Sequence, residues 1–146
     1  MKEFICHNLE ETQKLAAEIA AQANGGDIFA LQGDLGAGKT TFTQFFAKSL
    51  GIEKSVTSPT FVVMKMYEVS GNSEIDKLIH IDCYRFETLD DARSIGLGEY
   101  LDDQKAVILI EWPERIWPMI QDRAKMIQFA TVSETERKIS LWKIWF

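Results

Sequence analysis

The chain has 146 residues, of which 46% are hydrophobic and 26% charged, and this size and composition predict one globular domain with a substantial core. Its formal net charge of −6 argues against a protein that grips nucleic acid by itself, because such proteins carry a basic stripe. No apolar run approaches the roughly 18 residues of a membrane span, the chain begins without an apolar signal-peptide core, and the cytoplasm is the expected location. Cys6 and Cys83 have neither CxxC spacing nor a histidine cluster, so we expect buried thiols.

The first elements predicted along the chain are a short strand and an amphipathic helix. The strand covers Glu3 to Cys6. Asn8, followed three residues later by Glu11, is a capping signal, and apolar residues then recur at helical spacing as far as Asn24. We expect this helix to cover one face of a sheet.

A glycine-rich octet follows the next predicted strand, Ile28 to Gln32. Its sequence, GDLGAGKT, satisfies the phosphate-loop pattern G-x-x-x-x-G-K-[ST], and apolar residues at helical spacing follow it as far as Gly51. In this pattern the backbone amides cradle phosphates, the lysine reaches the β- and γ-phosphates and the last hydroxyl ligates Mg²⁺. An ordinary glycine turn between a strand and a helix is the alternative. The predicted phosphate-binding residues are Gly33, Asp34, Leu35, Gly36, Ala37, Gly38, Lys39, Thr40 and Thr41.

The segment after this helix is rich in hydroxyl groups, and it lies where nucleotide-sensing loops occur in phosphate-loop proteins. An ordinary connecting loop is the alternative. The candidate switch residues are Thr57, Ser58 and Thr60. Beyond them, Phe61 to Val69 and Leu78 to Asp82 are predicted to form a hairpin around a Gly-Asn-Ser turn, which would make the sheet mixed.

Two acidic residues end predicted strands and are candidates for metal chemistry. Glu111 follows the apolar run Ala106 to Ile110, so it matches a Walker-B position, although that position is more often aspartate. Asp82 ends the preceding predicted strand. Ligands bind at the carboxyl ends of strands in open α/β sheets, so both acids fit a catalytic or Mg²⁺-binding role. A surface acid that caps a helix or turn is the alternative for each, and Trp112 would either stack near this site or simply pack.

The remaining segments predict short helices and a second hairpin. Leu89 to Leu101 contains two glycines and predicts irregular short helices, whereas Met126 to Val132 and Lys138 to Trp145 predict two paired strands. The alternation of helices and strands indicates an α/β fold. We expect a three-layer sandwich like that of P-loop NTPases, with a central mixed, mostly parallel sheet, in a single ATPase domain over residues 1–146.

The motifs GDLGAGKTT, TSPTF, HIDCYR, IGLGEYL and LIEWPER together resemble the TsaE family, also called YjeE, and they occur in the family's order from Gly33 to Arg115. The resemblance implies a Mg²⁺-dependent ATPase of bacterial tRNA modification that is weak alone and activated by partner proteins. It implies ATP and Mg²⁺ as cofactors and TsaB and TsaD as partners. The complex would form N6-threonylcarbamoyladenosine at position 37 of tRNA, with the chemistry on tRNA performed by TsaD and tRNA contacted only through the complex.

The resemblance also implies a role for each matching residue. Lys39 and the phosphate loop would hold phosphates, Thr40 and Glu111 would ligate Mg²⁺, and Asp82 would serve the catalytic or metal-water role. Arg137 loosely resembles an arginine near the family's adenine pocket, and Thr12 would approach the base from the other side.

Two further classes of function stay open from the residues alone. A small-molecule or nucleotide kinase would use the same loop, but Arg85, Arg93 and Arg115 are too dispersed to define a lid or an acceptor site. A nucleotide-responsive binding module, in which hydrolysis is incidental, is not separated from an ATPase by sequence. ATP is favoured over GTP because no N-K-x-D string occurs.

Overall fold

The fold is built around one mixed β-sheet with helices on both faces. The computed structural model describes residues 1–57 and 63–144. The strands are β1 (Lys2–Cys6), β2 (Ile28–Gln32), β3 (Met64–Glu68), β4 (Lys77–Asp82), β5 (Ala106–Glu111), β6 (Lys125–Thr131) and β7 (Arg137–Trp142). The helices are α1 (Leu9–Ala21), α2 (Lys39–Ser49), α3 (Leu89–Ser94), α4 (Leu97–Leu101) and α5 (Trp117–Ile120), and a 3₁₀ turn at Pro113–Ile116 precedes α5.

The strand order is β1-β7-β6-β2-β5-β4-β3. The four central strands, β6, β2, β5 and β4, run parallel, whereas β3 pairs with β4, and β7 with β6 and β1, in the antiparallel sense. The α/β fold with a mixed sheet is therefore confirmed, as are both predicted hairpins in their described parts. The first hairpin strand begins at Met64, later than predicted, and residues 61 and 62 of the prediction lie outside the described residues.

Buried side chains alternate between the two faces of the central strands, as the period of two in a strand requires. On β5, Leu109 packs on the face covered by α1 and α2, whereas Ile108 packs on the face covered by α3, α4 and α5. Phe42 of α2 meets Phe129 of β6 edge to face, with ring centroids 5.3 Å apart. Because helices cover both faces, β5 is buried along its whole length, and the continuous apolar run that predicted it is explained.

The two longest helices, α1 and α2, begin where the sequence predicts, whereas α5 is not predicted. The Asn8 side chain accepts a hydrogen bond from the Glu11 backbone N–H at 2.9 Å, which confirms the predicted cap of α1. α2 ends at Ser49, and Gly51 follows in the left-handed region with φ of 82°. Within the described ranges, no helix is both long and apolar enough to pass through a bilayer.

Candidate functional site

The phosphate loop joins the end of β2 to the beginning of α2. Gly36 and Gly38 have φ of 80° and 106°, in the left-handed region that favours glycine. A Cβ on Gly33 would lie 2.7 Å from the carbonyl oxygen of Phe129, so the beginning of the loop passes too close to β6 for any side chain. The backbone path of the loop therefore requires glycine at these three positions.

The N-terminus of α2 is suited to an anion. Gly38 provides no capping side chain, and the first turn of α2 contains no acidic residue. By contrast, the N-terminus of α1 has the Asn8 cap and two acidic residues in its first turn. The first backbone N–H groups of a helix lack intrahelical acceptors and carry the positive end of the helix dipole. A phosphate group would accept hydrogen bonds from these free N–H groups at the beginning of α2.

Lys39 lies folded against the loop. Its side chain is buried, its Nζ donates to the Gly33 carbonyl oxygen at 2.5 Å, and the same atom lies 4.5 Å from the centroid of the Trp112 ring. The Trp112 backbone is in the left-handed region with φ of 55°, and its ring lies 5.0 Å from that of Tyr84. A carbonyl oxygen and an aromatic face thus hold the lysine charge against the glycine-rich loop.

The ends of β4 and β5 bring the two predicted acids to the same edge of the sheet. Asp82 is aligned with Glu111 in the parallel pairing of these strands, and both carboxylates are buried. The Thr40 hydroxyl donates to Glu111 Oε1 at 3.4 Å, and Asp82 Oδ1 accepts from the Tyr84 backbone N–H at 2.9 Å. These residues line a cavity of about 480 Å³ together with Leu35, Gly36, Gly38, Lys39, Thr41 and Trp112. The structure therefore brings most of the predicted phosphate and metal residues together, but Gly33, Asp34 and Ala37 do not line this cavity.

The donors at this cavity fit Mg²⁺. The hydroxyl of Thr40 and the carboxylates of Asp82 and Glu111 are oxygen ligands of the kind that Mg²⁺ prefers. Among the described residues, no three or more His, Cys, Asp or Glu side chains gather to hold a metal ion by themselves. Mg²⁺ is usually held by one or two carboxylates together with substrate phosphates and water. The donor set thus suits an ion that binds with a nucleotide.

A second cavity of about 630 Å³ lies against the other side of the loop. It shares Gly36, Gly38 and Thr41 with the first cavity, so the two adjoin at the phosphate loop. Thr12 of α1 and Arg137 of β7 both line it. Its remaining lining residues are Asn8, Leu9, Glu10, Ala37, Phe129, Glu134, Thr135 and Ile139. Two residues that are 125 positions apart in the sequence therefore line the same cavity, as their predicted roles require.

Arg137 and Thr12 also have partners within the protein. The Arg137 Nη1 donates to the carbonyl oxygens of Ser133, Glu134 and Glu136 at 2.8, 3.4 and 3.0 Å, so this guanidinium fastens the turn between β6 and β7. The buried Thr12 hydroxyl donates to the Asn8 carbonyl oxygen at 3.4 Å. Both residues therefore shape the cavity wall.

The predicted switch segment is described only as far as Thr57. The Lys65 ammonium donates to the hydroxyl oxygen of Thr57, and the Gln44 side chain donates to the Val56 carbonyl oxygen at 2.9 Å, which ties the beginning of the segment to α2. Within the described part of the chain, Thr57 lines neither of the two cavities. Ser58 and Thr60 lie outside the described residues.

Sequence reasoning did not assign a role to His80. This residue is completely buried on β4, and its Nε2 lies 3.1 Å from Glu111 Oε2. The strand period of two puts His80 and Asp82 on the same face, and that signal was present in HIDCYR. The strand period does not predict the contact of His80 with Glu111, because Glu111 is 31 residues away in the sequence.

Cys83 follows Asp82 but is not suited to nucleophilic chemistry. Burial raises the pKa of its thiol strongly, and the negative charges of Asp82 and Glu114 raise it further. The reactive form of a cysteine is the thiolate, so this side chain stays protonated and inert at neutral pH.

Comparison with known proteins gives a consistent result. The family model described as "Threonylcarbamoyl adenosine biosynthesis protein TsaE" matches residues 6–139. The chain is 42% identical over 133 residues to the tRNA threonylcarbamoyladenosine biosynthesis protein TsaE of Bacillus subtilis (strain 168), covering 91% of this chain and 80% of the relative. It is 36% identical over 145 residues to the TsaE protein of Aquifex aeolicus (strain VF5), covering 98% and 97% of the two chains. The crystal structure of Bacillus subtilis YdiB superposes with a TM-score of 0.75 at 36% identity, covering 96% of this chain and 83% of YdiB.

Proposed function

The chain belongs to the TsaE family and acts in the biosynthesis of tRNA threonylcarbamoyladenosine, and we propose that within this biosynthesis it binds and hydrolyses ATP with Mg²⁺. One observation carries the proposal. The loop before α2 and the ends of β4 and β5 converge on one cavity that holds a lysine, a hydroxyl and two buried carboxylates. This is the set of groups that phosphoryl transfer needs.

The proposed binding mode follows from the two adjoining cavities. The phosphates lie in the loop at the N-terminus of α2, where Lys39 leaves the Gly33 carbonyl oxygen and pairs with them. The base occupies the cavity between Thr12 and Arg137, whose apolar walls include Phe129 and Ile139. ATP is thus held by loop backbone at one end and by α1 and the β6–β7 hairpin at the other.

Thr40, Glu111 and Asp82 have different proposed roles around Mg²⁺. Thr40 and Glu111, whose side-chain oxygens lie 3.4 Å apart, are the proposed Mg²⁺ ligands, and the proposed role of Asp82 at the same edge is to orient a water molecule. Bound Mg²⁺ supplies charge neutralisation to the phosphates during transfer. The chain holds these oxygen donors in place before the nucleotide arrives, so less reorganisation is needed during the reaction.

The charges at the cavity of about 480 Å³, where we propose that the phosphates bind, support activation by a partner. Lys39 is the only cationic side chain among the described residues that line this cavity. Arg115 does not line it; this side chain donates to the Phe86 carbonyl oxygen at 3.3 Å and lies 5.7 Å from the Tyr84 ring. Phosphoryl transfer is accelerated strongly when an arginine neutralises the transition state, and that arginine is often supplied by a second protein. We therefore propose low turnover alone and activation by TsaB and TsaD, with tRNA contacted through the complex.

The test is Mg²⁺-dependent ATP turnover by the purified chain with and without cognate TsaB and TsaD, with GTP as a competitor and Lys39→Ala as the blank. We expect little turnover alone, stimulation by the pair and no effect of GTP. Failure to bind ATP, with a folded chain and active partners, would overturn the proposal. Binding without hydrolysis, even with the partners present, would instead indicate a nucleotide-responsive binding module.

A further inference from the structure

His80 is a buried polar residue on β4 that none of the proposed roles uses. It lies on β4 opposite Leu109 of β5, two residues before Asp82, and its side chain is completely inaccessible to solvent. Burying an imidazole among apolar side chains costs free energy unless its polar atoms are hydrogen-bonded. A buried histidine at this position therefore needs a hydrogen-bond partner that offsets the cost of its burial.

The contact that His80 makes is with Glu111. Its Nε2 lies 3.1 Å from Glu111 Oε2, while the other carboxylate oxygen, Oε1, accepts from the Thr40 hydroxyl at 3.4 Å. Glu111 is thus held from two sides, by β4 through one oxygen and by α2 through the other. A glutamate side chain has three rotatable bonds, and these two contacts fix the direction of its carboxylate before any ligand binds.

The second ring nitrogen identifies the direction of the hydrogen bond. The Nδ1 of His80 is buried, and it has no hydrogen-bond partner among the described residues. As a metal ligand Glu111 is a carboxylate, which only accepts hydrogen bonds, so the nitrogen that faces it carries the proton. A proton on Nδ1 would leave a buried N–H without an acceptor. The contacts thus favour the tautomer in which His80 Nε2 donates to Glu111.

We propose that His80 is a positioning residue that orients the Glu111 carboxylate toward the Mg²⁺ that accompanies the nucleotide. This inference deepens the proposed function, because it depends on Glu111 as a metal ligand. Groups that orient the ligands of a metal typically change metal affinity by about 10- to 100-fold when they are removed. His80 itself contacts neither the nucleotide nor the ion in this arrangement.

The test compares two nearly isosteric variants. His80→Gln keeps an N–H donor close to the position of Nε2, whereas His80→Met fills a similar space without a donor. We expect His80→Met to raise the half-saturating Mn²⁺ concentration of the ATP complex, measured by electron paramagnetic resonance, by about 10-fold or more. Its ATP affinity in EDTA should change less than twofold, because the phosphate loop is untouched, and His80→Gln should restore most of the Mn²⁺ affinity. Equal Mn²⁺ affinity in His80→Met and wild type, or equal loss in both variants, would overturn the proposal.

A measurement on the unaltered protein covers the case in which a variant fails to fold. The sequence contains two histidines, so ¹⁵N-detected ring correlations of the wild type and of His7→Gln assign the His80 nitrogens directly. We expect the proton on Nε2, and a proton on Nδ1 would overturn the proposal. This measurement needs no nucleotide. If the wild type fails to bind ATP while the proton is on Nε2, the proposed function fails and the His80–Glu111 contact stands.

Discussion

At the carboxyl end of the sheet, the side chains proposed to bind phosphates and those proposed to act on them have different neighbours. Lys39 belongs to the loop and lies against Gly33 and Trp112, whereas Asp82 and Glu111 belong to neighbouring strands and face Thr40 and Tyr84. The contacts of Lys39 lie at the proposed phosphate site, and the contacts of Asp82 and Glu111 lie at the proposed Mg²⁺ site. Substitutions at the two places should therefore have different consequences.

Lys39→Ala should lower ATP affinity by about 100-fold or more, because it removes the charge that pairs with the phosphates. Asp82→Ala and Glu111→Ala should change ATP affinity in EDTA by only a few fold while lowering turnover with partners by about 100-fold or more. Titration calorimetry and a turnover assay measure the two effects separately. The control is Lys48→Ala, which removes an exposed lysine from the last turn of α2. An equal loss of affinity in the three site variants would contradict these roles.

The two thiols should be inert in the folded protein. Cys83 is inaccessible to solvent and Cys6 is 3% exposed, and burial raises the pKa of both thiols. Because alkylation needs an accessible thiolate, we expect iodoacetamide at pH 8 to modify both at least about 100-fold more slowly than in denaturant. Mass spectrometry of timed samples measures this. Rapid labelling of Cys83 in the folded chain would show that the end of β4 is open to solvent.

At the scale of elements, the β6–β7 hairpin forms one wall of the proposed base cavity. Its turn is held by Arg137, which donates to three backbone carbonyl oxygens. Arg137→Lys should lower adenine-nucleotide affinity by about 3- to 10-fold, because an ammonium cannot reproduce the planar geometry of the guanidinium. The melting temperature should change little, since two of these three contacts are exposed to solvent.

A matched control lies next to Arg137 on the same strand. Lys138 pairs with Glu3 of β1 at 2.9 Å and does not line the cavity. Lys138→Gln should therefore leave nucleotide affinity unchanged. If Arg137→Lys binds ATP as tightly as wild type, the hairpin turn does not contribute to the base site.

The beginning of β4 is joined by an ion pair to the loop before β5. Lys77 donates to Asp103 at 2.8 Å, and this hydrogen bond raises the pKa of Lys77 and lowers the pKa of Asp103. The Asp103 contribution to stability is complete above its unfolded pKa of about 3.9 and is lost as pH falls through the lower folded value. The Lys77 contribution is complete below about 10.4 and is lost as pH rises through the higher folded value.

Asp103→Asn should therefore lower the free energy of unfolding at pH 7 by about 0.5–1 kcal/mol, because solvent screens a pair that is partly exposed. The difference should narrow as the pH falls through the lowered folded pKa of Asp103, because the wild-type carboxyl group then becomes protonated as well. Urea unfolding at pH 7 and over a series of lower pH values measures both effects. Asp76→Asn is the control: Asp76 lies 3.6 Å from the same ammonium and is more exposed, so its effect should be smaller. A loss from Asp103→Asn that stays constant as the pH falls would contradict an ionic contribution of Asp103 to stability.

For the whole molecule, the C-terminal segment contributes to the sheet and the core. Trp142 ends β7 opposite Met126, and Ile144 is buried with the residues of the core beneath α1 and α2. Deletion of residues 142–146 should lower the free energy of unfolding by about 2–5 kcal/mol, because it removes a buried isoleucine and the end of a strand. Thermal unfolding measures the loss, and a chain that ends at Ile144 is the control. A truncated chain that keeps its melting temperature but loses TsaB and TsaD would show that this segment is a docking surface.

The sequence by itself determined the features that depend on neighbouring residues. Glycine spacing identified the phosphate loop, the Asn8 cap located α1, and the apolar run before Glu111 identified a central strand. Turn residues between β-prone segments identified both hairpins. Such signals are local, because a cap, a turn or a strand period is set by residues a few positions apart. The roles of the site residues stay predictions.

Only the tertiary structure decided which distant residues meet. Strand order puts Asp82 beside Glu111, register puts His80 against the same carboxylate, and packing folds Lys39 onto Trp112. The convergence of Thr12 and Arg137 on one cavity likewise depends on how α1 and the last hairpin approach the loop. These arrangements come from burying both faces of the sheet under helices, and the free energy of that burial depends on the whole chain and not on any local pattern.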